Sequence, residues 1–404
     1  MRLLFINRFY WPETPATGQL LTDLAEGLAA QGADVTVITS SARGSERKEE
    51  YRQGVRILRL SSTRWAALGA IGKAFDFASF FVTAVWRVWR EATAETVVIP
   101  MTDPPMLGVG VSWAARYRRA RLIHWVQDIY PEIAIALFRQ RWLGLLSPLR
   151  DRAWRAADQC VTLGGDMAQI VTKAGVTSER IQVIPNWAPA GLTPHPRSDA
   201  IPLRQEWGLV GKFVLAYSGN LGRVHDLEAI LMLAESLREC PEIAVILVGD
   251  GAQRECIQRM VLQRSLANIR FLPTQSRQRL GELLAAGDLH LVTLLPGCEH
   301  YVLPSKLYGI VAVGRPVLFI GPPDCDVARL VRDHGLGCAA DRSDLPSMSA
   351  FVRRLVENPA EYEAFAGASQ VFAENHTAQV AIDRWHELLT MIADARAASA
   401  TKPD

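Results

Sequence analysis

Apolar and polar positions alternate along the chain in a recurring strand–loop–helix order. Residues 3–6 form a short apolar run, and a Pro/Thr/Gly-rich loop follows at 11–18. Leu20, Leu21, Leu24, Leu28 and Ala29 then recur at helical spacing up to Gly32, which stands where a C-terminal cap belongs. The β-branched stretch 34–39 reads as the next strand. Further strands are predicted at 55–60, 96–99, 122–126, 159–163 and 181–184, with helical stretches between most of them. Pro185-Asn-Trp-Ala-Pro189, with Pro194, Pro196 and Pro202 beyond it, breaks the pattern and reads as a linker. The alternation then restarts: strands at 213–217, 243–248, 269–272, 289–294 and 317–320, and helices at 226–238, 253–264 and 277–286. This order predicts an α/β chain of two doubly wound Rossmann-like domains, residues 1–187 and 188–374. A last helix at about 375–395 has no strand after it and is expected to pack back on the first domain. Ligands of such sheets bind beyond the carboxyl ends of the strands, so both domains are expected to give loops to a shared cleft.

Composition narrows the class. The chain has 404 residues, 49% hydrophobic and 21% charged, which excludes a disordered or fibrous chain and fits two domains. Lys and Arg number 44 against 42 Asp and Glu; this near-neutrality argues against nucleic acid as a partner. The balance hides an asymmetry, because residues 1–187 carry 23 basic and 17 acidic side chains. Within that half, Arg64, Trp65, Lys73, Trp86, Arg87, Trp89 and Arg90 border a dense apolar and aromatic stretch in which Asp76 is the sole acid. It reads either as a buried helix or as an interfacial helix contacting an anionic membrane surface. The six cysteines form no C-x-x-C pair, so neither a zinc site nor a disulfide framework is indicated, and a reducing, cytoplasmic setting fits. No apolar run reaches the length of a membrane span.

Three segments carry candidate phosphate chemistry. The first loop ends at Gly18, where a helix begins. The second, Tyr217-Ser218-Gly219-Asn220-Leu-Gly222-Arg223-Val-His225, follows the first strand of the second half and sets a guanidinium on a glycine-rich turn. Neither it nor Gly108-Val-Gly110 has the dinucleotide fingerprint. In the third, Pro304 at a first helical position would leave Ser305 and Lys306 at a helix start, and Gly314-Arg-Pro316 ends that helix. Taken singly, each is also compatible with an ordinary turn. Asp324-Cys-Asp326 is read as capping a helix rather than as a metal site. His124-Trp-Val-Gln-Asp128-Ile-Tyr-Pro-Glu132 follows a strand of the first domain and groups two carboxylates and an imidazole. His124 is expected to point into the sheet packing, and Glu132 could be a helix first-turn acid.

Gly219-Asn-Leu-Gly-Arg223, Gly249-Asp-Gly251, Pro304-Ser-Lys-Leu-Tyr-Gly309 before Gly314-Arg-Pro316, and Pro185-Asn-Trp187 resemble, in that strand context, the GT-B glycosyltransferases of family 4. The likeness is narrowest to the group with colanic-acid and O-antigen fucosaminyl transferases. It implies two Rossmann-like domains facing each other across a cleft, a nucleotide-sugar donor on the second and an acceptor on the first. It also implies retention of anomeric configuration, no metal and no other cofactor. Carried over by position, Gly18 would meet the donor diphosphate. The family's Arg and Lys fall at Asn220 and His225, so Arg223 and Lys306 would take the cationic work. Its Glu-x7-Glu pair falls at Tyr301 and Gly309, leaving the ribose contact open, with Glu299 just upstream placed toward the donor sugar. The base would lie near Leu272. Asp128, with Glu132 second, is the expected catalytic carboxylate, placed to orient the acceptor hydroxyl, take its proton or stabilise oxocarbenium character. The implied activity is transfer of a sugar from UDP to a polyprenyl-diphosphate-linked acceptor for surface polysaccharide, peripheral on the inner face of the cytoplasmic membrane. A nucleotide-sugar epimerase and a non-catalytic nucleotide-sugar-binding subunit are the alternatives.

Overall fold

The structure, a computed structural model, describes residues 1–13, 15–41, 48–61, 63, 65 and 69–400; residues 70, 73 and 395–400 are described by their backbone alone. Arg64 of the expected membrane set lies outside the described residues, and so does the Lys73 side chain. The chain divides into two units, residues 1–186 with the C-terminal stretch from Ala378, and residues 187–377.

The first unit runs β1 (Arg2–Ile6), α1 (Ala16–Ala30), β2 (Asp34–Ser40), β3 (Glu49–Arg52), β4 (Val55–Leu60), α2 (Gly69–Glu91), β5 (Thr96–Pro100), α3 (Leu107–Tyr117), β6 (Arg121–Val126), α4 (Glu132–Phe138), α5 (Ser147–Arg155), β7 (Gln159–Thr162), α6 (Gly165–Lys173) and β8 (Ile181–Val183). Among the described residues these strands form one eight-stranded sheet in the order β3-β4-β2-β1-β5-β6-β7-β8, parallel except for the β3–β4 hairpin. The winding reverses at β1, which pairs with β2 on one side and β5 on the other.

The second unit runs α7 (Ile201–Glu206), β9 (Phe213–Ser218), α8 (Leu227–Ser236), β10 (Ile243–Val248), α9 (Arg254–Gln263), β11 (Ile269–Leu272), α10 (Leu280–Ala285), β12 (Leu289–Thr293), α11 (Lys306–Ala312), β13 (Val317–Ile320), α12 (Asp326–Asp333), β14 (Gly337–Ala340), α13 (Leu345–Glu357) and α14 (Pro359–Glu374). Its described strands make a parallel six-stranded sheet, β11-β10-β9-β12-β13-β14, with the winding reversed at β9 and β12. Successive β9 residues feed different cores. Phe213, Leu215 and Tyr217 pack with α8 and α13, and Val214 and Ala216 with α7 and α10. A strand covered on both faces must be apolar throughout, which is why 213–217 and 243–248 are uninterrupted apolar runs. Asp226, Asp344 and Asn358 accept hydrogen bonds from the first-turn amides of α8, α13 and α14, fixing where those helices start.

The last helix, α15 (Ala378–Ala400), belongs to the first unit. Trp385 is fully buried, edge-on to Trp125 at 5.1 Å, and a Cβ on Gly27 of α1 would lie 2.3 Å from Ile382. In the same way Gly110 is small because Phe81 and Val85 of α2 press on it at 2.6 Å, and Gly108 because His124 stands 2.5 Å from its missing Cβ. The Gly-Val-Gly run is thus a packing feature, as its incomplete fingerprint suggests.

Candidate active site

The second unit places its glycine loops at the carboxyl end of β9 and β10, beside the point where the winding reverses. The register aligns Ser218 with Val248 and Val248 with Leu272, so three strand ends finish in one row. Two glycine turns then interlock. Gly219 donates to the Val248 carbonyl at 2.9 Å, and the Leu221 amide donates to the Asp250 carbonyl at 2.8 Å. Gly249 has φ 148°, and a Cβ there would fall 1.9 Å from the Gly219 carbonyl oxygen. No side chain fits that gap. Gly249→Ala is therefore expected to lower stability by about 2 kcal/mol or more and to weaken nucleotide binding, measured by denaturant melts and titration of UDP.

Lys306 reaches into this row from the first residue of α11. Its Nζ is buried, finds no hydrogen-bond partner and stands 3.6 Å from the Tyr217 ring centroid. The same side chain lies 3.5 Å from the missing Cβ of Gly219, so the amine sits against the glycine turn. Burial without a counter-charge pulls its pKa well below the ordinary lysine value. The Ser218 and Thr293 hydroxyl oxygens, at the ends of β9 and β12, are also buried without partners. His225 is buried and donates through Nδ1 to the Thr293 carbonyl at 2.8 Å. Burial and the Lys306 charge depress its pKa to about 3, so it is neutral and supplies no cation. Three buried polar atoms without partners thus lie at or beside these strand ends, where unpaired polar groups are expensive to bury.

Other expected donor residues fall differently. Asn220 and Arg223 lie exposed on the loop, and Leu272 is half-buried at the strand end. Gly222 is tied down by Gln253, which donates to its carbonyl at 2.6 Å. Ser305 stands at the N-cap position of α11 without a side-chain capping hydrogen bond, and Pro304 lies outside the helix, so the proline does not occupy the first helical position. Glu299 is taken up in its own turn, accepting from the Gly297 amide at 2.5 Å with His300 3.7 Å away. Gly309 is buried against Leu284, Leu192 and Pro189, with no group that reaches a ribose. Gly18 is small because Phe9 lies 3.0 Å from its missing Cβ, and its amide donates to the Pro15 carbonyl. The position predicted for ligand approach is filled by the chain itself. Asp326 begins α12 and pairs with Arg329 at 2.7 Å, so the D-x-D is structural but does not cap, because the helix has Cys325 at that place.

The first unit builds a second site where its own winding reverses. Arg8, just past β1, makes a two-pronged contact with Asp103, past β5, at 3.0 and 3.3 Å, and its guanidinium stacks on Phe9 and on Phe77 of α2. Asp128 follows β6 with its amide donating to the Thr102 hydroxyl at 3.1 Å. It lines a small cavity of about 30 Å³ with Thr102, His124, Tyr130, Arg150 and Trp154. Burial, then the nearby Asp103 charge, raise the Asp128 carboxyl to about 7. His124 is neutral, its pKa depressed by burial to about 4, and its Nε2 lies 3.0 Å from Ser112 Oγ.

Glu132 starts α4 and is paired with the buried Arg150, which also holds Asp151 and donates to the Tyr130 carbonyl at 2.9 Å. Ser147 donates to the same carboxylate at 3.2 Å. Its charge is committed to fastening α4 to α5, so the catalytic expectation rests on Asp128. Glu132→Gln is expected to lower stability by about 2 kcal/mol, read from thermal melts, with little change in turnover. Arg8, Thr102, Asp103 and Thr293 are not marked by the sequence pattern. Thr102 and Asp103 follow the predicted strand at 96–99, and Arg8 that at 3–6; their position past strand ends was the available signal.

Residues 17–187 match the glycosyl transferase 4-like domain, and residues 200–371 match the glycosyl transferases group 1 domain. The chain belongs to the family 4 glycosyltransferases of GT-B fold. WcaI of Escherichia coli, a glycosyl transferase named for colanic acid biosynthesis, is 28% identical over 89% of this chain and 93% of its own. WbjE of Pseudomonas aeruginosa, named as a glycosyltransferase, is 25% identical over 74% of this chain and 75% of its own. Among solved structures, HepE of Anabaena in complex with UDP and glucose superposes with a TM-score of 0.73 over 97% of this chain and 100% of its own, at 17% identity. Enzymes of this family transfer sugars, which places the glycine loops and Lys306 in a known class of fold without assigning their ligand.

Proposed function

We propose that the protein is a retaining, metal-independent glycosyltransferase that moves a sugar from UDP to a polyprenyl-diphosphate-linked acceptor for surface polysaccharide. The observation that carries the donor half is the buried, unpartnered Lys306 amine against the Gly219 turn. A diphosphate gives it, and the Ser218 hydroxyl, the charge-assisted partners they lack. HepE was solved with UDP, and WcaI is named for colanic acid biosynthesis, which supports the base and the pathway class. Arg223 and the loop amides would complete the diphosphate site, and Leu272 the base side.

For the acceptor half, Asp128 is assigned to orient the attacking hydroxyl and to stabilise positive charge on the anomeric carbon. In front-face retention the acceptor oxygen bonds to that carbon as the bond to the diphosphate breaks. The leaving β-phosphate oxygen takes the hydroxyl proton, so no second base is required. Lys306 is assigned to offset the negative charge of the leaving diphosphate. No helix among the described residues is long and apolar enough to cross a membrane. The exposed Trp86 and Trp89 of α2, with Arg90, are assigned to peripheral contact with the inner face of the cytoplasmic membrane, whereas Arg87 is half-buried and paired with Glu91 at 2.9 Å.

The test is radiolabelled UDP-sugar turnover with polyprenyl-diphosphate-sugar acceptors, with and without EDTA. Transfer with the anomeric configuration kept, unchanged by EDTA, is expected. Turnover of donor without acceptor, or an inverted product, contradicts the reading.

A further inference from the structure

A second apolar surface of the first unit lies outside the stretch that the sequence pattern marked. After Asp128 and α4 the chain makes a 3-10 turn, Arg141–Leu146, that leads into α5. Across 138–149 four large apolar side chains face outward: Phe138 is 49% exposed, Trp142 62%, Leu145 79% and Leu149 52%. Contiguous apolar exposure of this kind is uncommon on a surface that meets only water. Arg139, Arg141 and Arg152 are exposed beside them. The acids that flank the segment are Glu132 and Asp151, and both are paired with the buried Arg150. The outward charge of the segment is therefore positive.

Two helices of the same unit carry further exposed aromatic rings. Helix α5 packs on α3, and α3 on α2. On α3, Trp113 and Tyr117 are exposed and stacked at 6.1 Å, and Tyr117 meets Trp89 of α2 at 6.3 Å. Arg116, Arg118 and Arg119 add cations at the end of that helix.

We propose that residues 138–149 are a docking surface for an anionic lipid bilayer, a second contact distinct from α2. Apolar rings and leucines enter the interface while guanidinium groups stay with the headgroups. Arg150 ties the segment to the Tyr130 carbonyl and to Glu132, so the surface is fastened to the loop that carries Asp128. The proposal rests on the reading that the acceptor is membrane-borne.

The test uses the full chain and co-sedimentation with vesicles of phosphatidylglycerol and phosphatidylethanolamine, against phosphatidylcholine alone. Replacing Trp142, Leu145 and Leu149 together by Ser is expected to weaken partition onto anionic vesicles by about tenfold or more. Arg139→Glu with Arg141→Glu should weaken it by a similar factor and flatten its dependence on salt. Thermal stability and UDP binding should be unchanged in both variants. Trp86→Ser with Trp89→Ser, made in parallel, should add to the loss. Vesicle binding by both 138–149 variants at the wild-type level overturns the proposal, as does equal wild-type binding to neutral and anionic vesicles. Loss of a wild-type dimer in the apolar variant, without vesicle binding by either, makes the face a protein interface and also overturns it. Failure of wild-type transfer onto any acceptor, soluble or lipid-linked, sinks the proposed function whatever the vesicles show.

Discussion

Lys306→Ala should reduce kcat/KM by about a hundredfold to a thousandfold while leaving the protein as stable as the wild type or slightly more so. The two readouts separate a binding amine from a structural one. In the free protein the amine is buried with no hydrogen-bond partner and only the Tyr217 ring beneath it. Its removal relieves a desolvation penalty. A gain of ~1 kcal/mol would appear as a rise of about 2–4 °C in the melting temperature for a domain of this size. With nucleotide sugar present the sign reverses, because the variant loses the ligand's stabilisation. A structural lysine would lower stability and activity together.

Asp128→Asn should lower kcat by about a hundredfold or more and remove an ionisation from the pH profile. Burial and Asp103 hold the carboxyl at about 7. The active form is the carboxylate, so wild-type log(kcat/KM) is expected to rise with unit slope up to about pH 7 and then level. The variant's profile should be flat through that window. Stability gives an independent check with a definite sign. A carboxyl whose folded pKa lies above its unfolded value binds its proton more tightly when folded, so wild-type stability falls as pH rises from about 4 through about 7. The Asn variant should therefore gain relative stability at pH 8 and show no such gain at pH 3, where the carboxyl is protonated in both states.

Much of the fold was legible because parallel strands covered on both faces leave no polar positions to confuse the period. Strands at 213–217, 243–248 and 317–320 are of this kind. The missed strands lack that signature. Glu49–Arg52 is a charged edge whose acids pair with Arg56 and Arg59 of the neighbouring strand, and Gln53 and Gly54, both at positive φ, close its hairpin. Gly337–Ala340 has no large apolar residue to declare itself. At α2 the pattern marks no single apolar face, because Phe80, Ala84 and Val88 are buried while Phe75, Val82 and Trp86 are exposed.

For the candidate site, the glycine turns at 219 and 249 and Lys306 could be read locally, since each follows a strand and precedes a helix. What they touch could not. The Tyr217 ring under Lys306 and the Arg8–Asp103 contact join residues far apart in sequence, the latter by 95 positions. Gly18 shows the converse. A glycine at a helix start suggests a phosphate, and the neighbour that needs its missing side chain is Phe9. Glu132 misled for a similar reason, because the arginine that claims it lies 18 residues on.

The proposed donor site turns on the buried Lys306 amine, which a diphosphate would pair. The most direct test of that role is calorimetric titration of UDP into the wild type and Lys306→Ala, each in two buffers of different ionisation enthalpy. Burial holds the free amine's pKa well below normal, and a diphosphate beside it raises that pKa. The wild type should therefore bind UDP with uptake of a proton from solution. The variant should bind about thirtyfold or more weakly, with that uptake gone. Equal affinity and equal proton uptake in the two proteins would contradict that role.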